Sequence, residues 1–172
     1  PLLQEFLEPV MTLMKSVPVA SFVILALIWI GAQYLAVFIA FFVVLPMIYV
    51  NTLAGLQSTD KKLLEMAMVF HITLGKKIRF LYFPAALPYL ISGCRIALGM
   101  SWKSGVAAEV IGLPSNSIGE RLYMSKIYLE TSDLFAWTFT IIAVSALFER
   151  LFLRLLSRME RKGEPIHETD PS

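Results

Sequence analysis

The stretch SVPVASFVILALIWIGAQYLAVFIAFFVVLPMIYVNTLAGLQST, residues 16–59, contains no charged residue over its 44 positions. As one α-helix it would extend roughly 66 Å, about twice the ~30 Å hydrocarbon core of a bilayer. This length therefore predicts two membrane spans that turn around Gly31-Ala32-Gln33. We assign the first span to residues 18–30 with their flanks and the second to residues 34–50.

The composition supports a membrane protein throughout. Hydrophobic residues make up 57% of the chain, charged residues make up 16%, and the mean hydropathy is +0.69. Soluble domains have an apolar share near ~45–50% and a charged share near ~25%. Residues 87–112 and 134–156 are two further apolar stretches. The sequence thus predicts an all-α, polytopic membrane helical bundle with about four transmembrane helices.

The distribution of lysine and arginine predicts the orientation, because cytoplasmic loops carry an excess of these residues. The turn between the first two spans has no charge, and residues 113–133 carry few basic residues, so both are predicted to face outward. The net charge of +2 is explained by this topology and does not indicate nucleic-acid binding. Both ends of the chain are therefore predicted to be cytoplasmic. The basic residues that define the inner side are Lys61, Lys62, Lys76, Lys77, Arg79, Arg150, Arg154, Arg158, Arg161 and Lys162.

Residues 60–84 form a charged segment between the second and third spans and are predicted to fold as two short helices. Asp60 can cap a helix that begins at Lys61, and Thr73 can cap a second helix that Pro84 ends. Neither helix approaches the roughly 20 residues needed to cross a bilayer. The first helix has an apolar face, formed by Leu63, Leu64, Ala67, Met68 and Phe70. By shape alone, the segment is either an interfacial hairpin bound to headgroups or a docking surface for a cytoplasmic partner.

The third span contains ionisable residues. Arg95, Trp102 and Glu109 are seven residues apart and share one helical stripe with Gly99 and Val106. Ionisable groups inside a membrane usually face a cavity or the protein interior. These residues are therefore predicted either to anchor the structure or to line a translocation path.

Lys103 lies nearest the middle of this span and is the best candidate to contact an anionic solute. Another stripe of the same helix consists of small residues, which predicts close helix packing. Its members are Gly93, Ala97, Ser101, Ser104 or Gly105, and Ala108.

At the two ends of the chain the pattern changes. Residues 1–15 have apolar residues at helical spacing and are predicted to be an amphipathic lead-in on the cytoplasmic surface, or the tail of a preceding element. Residues 163–172 are polar and are predicted to be a flexible cytoplasmic tail. The transmembrane domain is therefore assigned to residues 1–162. Cys94 is the only cysteine, so no disulfide forms within the chain, and neither a cysteine metal site nor any other metal site is predicted.

The charged segment resembles the EAA loop of permease subunits of type I ATP-binding cassette (ABC) importers, whose pattern is E-A-A-x3-G-x9-I-x-L-P. Glu65, Ala67 and Pro84 match that pattern in register, whereas Met66, His71, Leu81 and Phe83 depart from it. SVPVASFVILALIWIG, NTLAG, LLEMA and PAALPYLISGCRIALGMSWKSGVAAEVIG are similar to the nitrate/sulfonate/taurine branch of the family. The resemblance covers residues 1–162 and implies that helices, typically two in this branch, precede Pro1.

The resemblance implies a function and a set of partners. The chain would be a bacterial inner-membrane permease that works as a pair of identical chains with two copies of an ABC ATPase and an extracytoplasmic substrate-binding protein. The solute would be a small sulfonate, nitrate or a thiamine-pathway precursor. The loop would couple the permease to the ATPase through Leu64, Glu65, Met66, Ala67, Met68, His71, Thr73, Leu74, Lys76, Lys77 and Pro84. The same resemblance places Arg95, Gly99, Trp102, Lys103, Val106 and Glu109 beside the translocation path.

The chain lacks the GxxxxGK[ST] phosphate-binding loop, so it is predicted to be no enzyme and to hold no cofactor, with ATP and Mg²⁺ bound by the partner ATPase. His71 stands where the family has glycine, at the left-handed turn that ends a helix, and histidine is among the residues enriched at positive φ. Two other functions remain open. One is an ion-coupled carrier fragment that uses Arg95, Lys103 and Glu109 directly, and the other is a membrane scaffold without transport.

Overall fold

The computed structural model describes residues 2–163 of the chain, and within that range it is built from α-helices. The predicted tail, apart from Gly163, lies outside the described residues. The helices, in chain order, are α1 (Leu2–Ser16), α2 (Val19–Ile30), α3 (Ala32–Gln57), α4 (Lys61–Val69), α5 (Leu74–Lys77), a π-helical turn (Ile78–Tyr82), α6 (Phe83–Gly112), α7 (Ile118–Ile127) and α8 (Thr131–Gly163).

Helices α2 and α3 form a hairpin, as the uncharged stretch predicts. The chain turns at Gly31, whose φ of 78° lies in the left-handed region that glycine adopts without steric cost. Phe22 of α2 stacks on Phe42 of α3 with ring centroids 4.3 Å apart. A buried core joins the two helices to α6, formed by Val23, Ala26, Leu35, Ile39 and Ala108.

The first predicted span is not one full-length helix. Helix α2 has 12 residues and extends about 18 Å, which is less than a ~30 Å hydrocarbon core. It is bent by 103° from α1 across the break at Val17 and Pro18. Among the described residues, two helices are long and apolar enough to cross a membrane, or three if the bent pair counts as one span. The predicted count of four spans stays a prediction.

Helices α3 and α6 make the most extensive contact in the described fold. A Cβ atom added to Gly55 would lie 2.8 Å from the Cα of Ala86, and one added to Gly93 would lie 2.8 Å from the Cβ of Asn51. Because no side chain fits in these gaps, the two backbones approach as closely as small residues permit. The close packing predicted for the small stripe of α6 is confirmed, since Gly93, Ala97, Ser104 and Ala108 are buried.

The continuous helix that ends with α6 begins further toward the N-terminus than the predicted third span, because α5 and the π-helical turn lead into α6 without a break. Residues Leu74–Gly112 form one helix of 39 residues, so the prediction that Pro84 ends a separate second helix is wrong. Proline lacks a backbone N–H and its ring crowds the preceding turn of an α-helix. Here the preceding turn widens into the π-helical segment, in which the N–H of Phe83 bonds to the carbonyl of Ile78. The chain thereby passes Pro84 without a break.

Helix α7 and the start of α8 lie at the end of the bundle opposite the charged segment. Ser117 caps α7 by accepting a hydrogen bond from the N–H of Glu120 at 3.0 Å. Leu129 has a φ of 57° and turns the chain into α8. Helix α8 has 33 residues and packs on α6, where Phe148 stacks on Trp102 with centroids 6.3 Å apart. These contacts place α7 and α8 against the third predicted span.

Candidate functional site

The charged segment folds as a hairpin that begins with the predicted cap. A carboxylate oxygen of Asp60 accepts a hydrogen bond from the N–H of Lys62 at 2.8 Å, which satisfies one donor of the first turn. Helix α4 ends where His71 adopts a φ of 48°, and the N–H of Ile72 bonds to the carbonyl of Ala67 at 3.0 Å. This bond, with the N–H of His71 donating to the carbonyl of Met68, completes a Schellman motif. The left-handed turn predicted at His71 is confirmed.

The apolar face predicted for α4 is partly turned into the protein. Ala67 is 1% exposed and Leu64 is half-buried, so Ala67, a member of the predicted apolar face, is not available to a partner. Five other apolar residues, on α4 and around the turn after it, are instead 51% to 74% exposed. We call this set the hairpin surface; it consists of Met66, Met68, Val69, Phe70 and Leu74.

Charged side chains flank the hairpin surface. Glu65 and Lys76 are exposed and Lys77 is half-buried. The guanidinium of Arg79 lies 5.8 Å from the ring centroid of Phe80, within the range of a cation–π contact. Thr73 occupies the N-cap position of α5, but its side chain makes no capping hydrogen bond, so the predicted cap is wrong in that detail. The hairpin therefore combines apolar contact area with both signs of charge.

The stripe predicted on the third span separates into two groups. Trp102, Val106 and Glu109 line a cavity of about 280 Å³ between α3, α6 and α7. The small residues Ala36 and Ala40 of α3 form its opposite wall. The cavity remains because the alanine side chains of α3 are too small to fill the space opposite the larger side chains of α6. The α3 wall was not among the predicted site residues, although Ala36 and Ala40 are spaced four apart on one helical face.

Glu109 also fixes α7 to α6. Its carboxylate oxygen Oε2 accepts a hydrogen bond from the N–H of Gly119, at 3.1 Å, in the first turn of α7. A negative charge at this position complements the partial positive charge of a helix N-terminus. Glu109 thus makes the contact expected of a structural anchor and also borders the cavity. Gly119 and Ser117 were not among the predicted site residues.

The remaining members of the stripe, Arg95 and Gly99, lie nearer the start of α6 and do not line this cavity. Lys103 was predicted separately, as the residue nearest the middle of the span. Arg95 and Lys103 are exposed within the described part of the chain. A Cβ atom added to Gly99 would meet no other atom within 4 Å outside its own helical backbone. We call Arg95, Gly99 and Lys103 the open face of α6. Because Lys103 is exposed and a Cβ atom on Gly99 would meet open space, this face can receive another protein surface or solvent.

The fold and the two exposed regions define a polytopic membrane protein with a charged hairpin at one end of its bundle. The sequence of the chain matches, over residues 1–161, the family described as binding-protein-dependent transport system inner membrane component. The chain belongs to this family, and it is a protein of the bacterial inner membrane.

Individual relatives are transport permeases. The chain is 30% identical over 165 residues to a putative aliphatic sulfonates transport permease of Bacillus subtilis, covering 95% of the chain and 59% of the relative. It is 29% identical over 162 residues to a taurine transport system permease of Escherichia coli, covering 92% and 57%. It is 28% identical over 153 residues to a bicarbonate transport system permease of Synechocystis, covering 87% and 54%. The chain thus spans between 54% and 59% of the length of these three relatives.

Proposed function

We propose that the chain is the membrane-spanning part of a permease subunit of an ABC importer. It forms, with a second copy, the path of a small solute and couples that path to two ATPase subunits, which bind ATP and Mg²⁺. An extracytoplasmic binding protein delivers the solute. The chain itself carries out no bond chemistry. Family membership and the permease relatives support this function.

The observation that carries the coupling role is the hairpin surface. Five neighbouring apolar residues are more than half exposed there, and exposed apolar patches on folded proteins mark interaction sites. Met66 and Met68 supply flexible, polarizable side chains that adapt to a partner groove. Glu65 lies beside them and can pair with a basic residue of the ATPase. We assign coupling to this surface together with Leu64, Ala67, His71, Thr73, Lys76, Lys77 and Pro84, of which Ala67 acts by packing inside the hairpin.

The topology that this function requires has four spans and places the hairpin and both ends of the chain in the cytoplasm. The basic residues of the hairpin and of the last part of α8 support this orientation through the positive-inside rule. In that orientation α7 faces outward, where it is available to the binding protein. Helix α2, which follows the bend after α1, then supplies the first crossing, and α8 supplies the fourth.

The solute that suits the open face of α6 is a small anion. The names of the relatives refer to sulfonates, taurine, bicarbonate and nitrate, and an exposed ammonium group inside a span attracts such solutes. Lys103 carries that ammonium group, about 12 Å along α6 from Arg95. In a pair of chains, two open faces lie beside one path, with Lys103 of each copy directed toward the solute.

Co-purification of the intact importer in detergent tests the proposal. The wild-type permease is expected to retain an ATPase subunit with a phosphate-binding loop, and Glu65→Lys is expected to reduce that retention several-fold. Glu130→Lys makes the same charge change at an exposed site at the other end of the bundle and serves as the matched control. If no ATPase accompanies the wild-type chain, and uptake by Glu65→Lys equals that of the wild type, the importer function is excluded.

A further inference from the structure

We propose that the inner boundary of the hydrocarbon core lies at the depth of residues 44–48, well before the end of α3. At this depth α1 and three arginines form a belt that binds phospholipid headgroups of the inner leaflet. We call Arg95, Arg150, Arg154 and helix α1 the interfacial belt. The inference rests on the proposed function in one respect, since it takes the hairpin side of the bundle to be cytoplasmic.

The depth of α1 follows from the pairing of α2 with α3. Phe22 stacks on Phe42, and the two helices run in opposite directions from the turn at Gly31. The start of α2 at Val19 therefore lies beside the part of α3 near Pro46. Helix α1 ends three residues before Val19 and is bent by 103° from α2, so its whole length stays close to that depth. If α2 crosses the bilayer, α1 lies nearly in the plane of the membrane.

The side chains of α1 suit an interface and not the middle of a bilayer. Phe6 and Leu13 are 75% and 66% exposed and form an apolar face, whereas Glu5 and Glu8 are exposed acidic residues. An amphipathic helix of this kind buries its apolar face at the headgroup boundary. If all of α3 lay in hydrocarbon, the same carboxylates would lie near the bilayer centre, where charged groups are costly. The boundary near Pro46 removes this conflict.

The arginines lie at the same depth on other helices. A cavity of about 190 Å³ is lined by Val44 and Ile48 of α3, by Phe152 of α8 and by α6 residues between Cys94 and Ser101, so these parts of the three helices share one range of depth. Arg95 follows Cys94 directly, and Arg150 and Arg154 lie two residues before and after Phe152. All three arginines are exposed, and because Arg95 and Arg154 also interact with other residues of the described part of the chain, a lipid phosphate would add to those interactions. Guanidinium groups match phosphate in geometry as well as in charge, which favours lipid phosphate as their ligand.

The resulting span is thinner than a typical hydrocarbon core of ~30 Å. From Arg95 to Gly112, helix α6 rises about 26 Å, and from Ala32 to Pro46, helix α3 rises about 21 Å. Beyond Pro46, helix α3 continues for about 17 Å to Gln57. Because the headgroup layer of one leaflet is roughly 5–7 Å thick, the hairpin stands clear of lipid. The proposed boundary thereby leaves the hairpin surface to a protein partner and favours docking over headgroup binding.

Site-directed spin labelling of the importer, reconstituted in vesicles of phosphatidylethanolamine and phosphatidylglycerol, tests the boundary. In a Cys94→Ser background, single cysteines replace Leu13, Phe41 or Leu56, which are 66%, 60% and 38% exposed. Collisions with oxygen and with a water-soluble nickel chelate report the depth of each label. We expect the label at Phe41 to be deep in lipid and the label at Leu13 to be shallow. The label at Leu56 should be outside the lipid, with nickel collisions several-fold above those at Phe41 or oxygen collisions several-fold below.

A label at Leu13 as deep as the label at Phe41, or a label at Leu56 within the hydrocarbon, overturns the boundary. Neither measurement needs ATP or solute, so this inference can fail while the transport function holds.

The headgroup contacts have a separate test by native mass spectrometry. Combined Arg150→Gln and Arg154→Gln changes should lower the number of retained phosphatidylglycerol molecules, whereas Arg121→Gln, an exposed arginine on α7, should not. If all variants retain the same number of phosphatidylglycerol molecules, lipid binding by these arginines is overturned. The spin-labelled variants contain no arginine substitution, so the depth measurement is independent of this result.

Discussion

The backbone N–H of Gly119 donates a hydrogen bond to the carboxylate of Glu109 at 3.1 Å, and this bond joins α7 to the third predicted span. The backbones are so close that a Cβ atom on Gly119 would lie 2.3 Å from the Cβ of Glu109 and 2.6 Å from the backbone nitrogen of Val110. Because the two backbones are in contact, a displacement of α6 would also displace the start of α7.

Gly119→Ala is predicted to destabilise the protein, because its new methyl group meets backbone atoms that cannot move aside. Overpacking of this kind costs about 1–3 kcal/mol. Thermal unfolding in detergent, followed by circular dichroism, should show a Tm several degrees below that of the wild type. Gly99→Ala, where the added Cβ meets nothing within 4 Å, is the control and should not lower the Tm. An equal Tm for both variants would contradict the close contact between α6 and α7.

A second prediction concerns the contact of α3 with α6 near the hairpin. Gly55→Ala places a Cβ 2.8 Å from the Cα of Ala86 and 2.9 Å from the Cβ of Tyr89, so the two helices must separate. We expect a lower Tm, again by about 1–3 kcal/mol in the free energy of unfolding. Gly75→Ala adds the same methyl group in open space and should leave the Tm near the wild-type value. If Gly55→Ala unfolds with the wild-type Tm, the helices are less tightly packed than described.

The left-handed turn of the hairpin gives a third prediction. His71 has a φ of 48°, a conformation that costs a non-glycine residue about 1–2 kcal/mol and costs glycine nothing. His71→Gly should raise the free energy of unfolding, by less than that amount because glycine also increases the freedom of the unfolded chain. His71→Val should lower it, since β-branched residues are strongly disfavoured at positive φ. Chemical denaturation in detergent measures both, and a Val variant as stable as the Gly variant would refute the prediction.

The fourth prediction concerns solute recognition. Lys103→Gln removes the ammonium group from the open face of α6 and should raise the KM for an anionic solute at least several-fold, while the retained ATPase stays at the wild-type amount. Transport of the solute held by the cognate binding protein, measured in proteoliposomes at several concentrations, provides the test. Lys126→Gln makes the same change at an exposed position of α7 and is the matched control. An unchanged KM for Lys103→Gln would remove this residue from the path.

The sequence predicted those features of the hairpin that depend only on interactions between neighbouring residues. The Asp60 cap and the positive φ of His71 depend on neighbouring residues, and both are confirmed. Pro84 was misjudged because a proline can be accommodated in a continuing helix when the turn before it widens, and no simple pattern announces a π-helical turn. The burial of Ala67 could not be read from the sequence, since it depends on which side of α4 faces the bundle.

In the third span, too, residue spacing predicted some features and tertiary contacts determined the others. Seven-residue spacing placed Arg95, Trp102 and Glu109 on one stripe, but a stripe on an isolated helix does not reveal its neighbours. Contacts with α3 and α7 turn Trp102 and Glu109 toward a cavity, and the open side of the bundle leaves Arg95 exposed. The hydrogen bond between Glu109 and Gly119 joins residues ten positions apart through the turn after α6, which the spacing could not predict.

By itself, the sequence determined that the chain belongs in a bilayer, that it turns at Gly31, and that a charged hairpin follows α3. These features depend on the transfer of residues out of water and on the conformational preferences of single residues. Only the tertiary structure decided the 103° bend between α1 and α2, which apolar residues of the hairpin stay exposed, and which face of α6 remains open. Those features depend on how closely glycine and alanine allow helices to approach, and that distance is set by both partners of each contact.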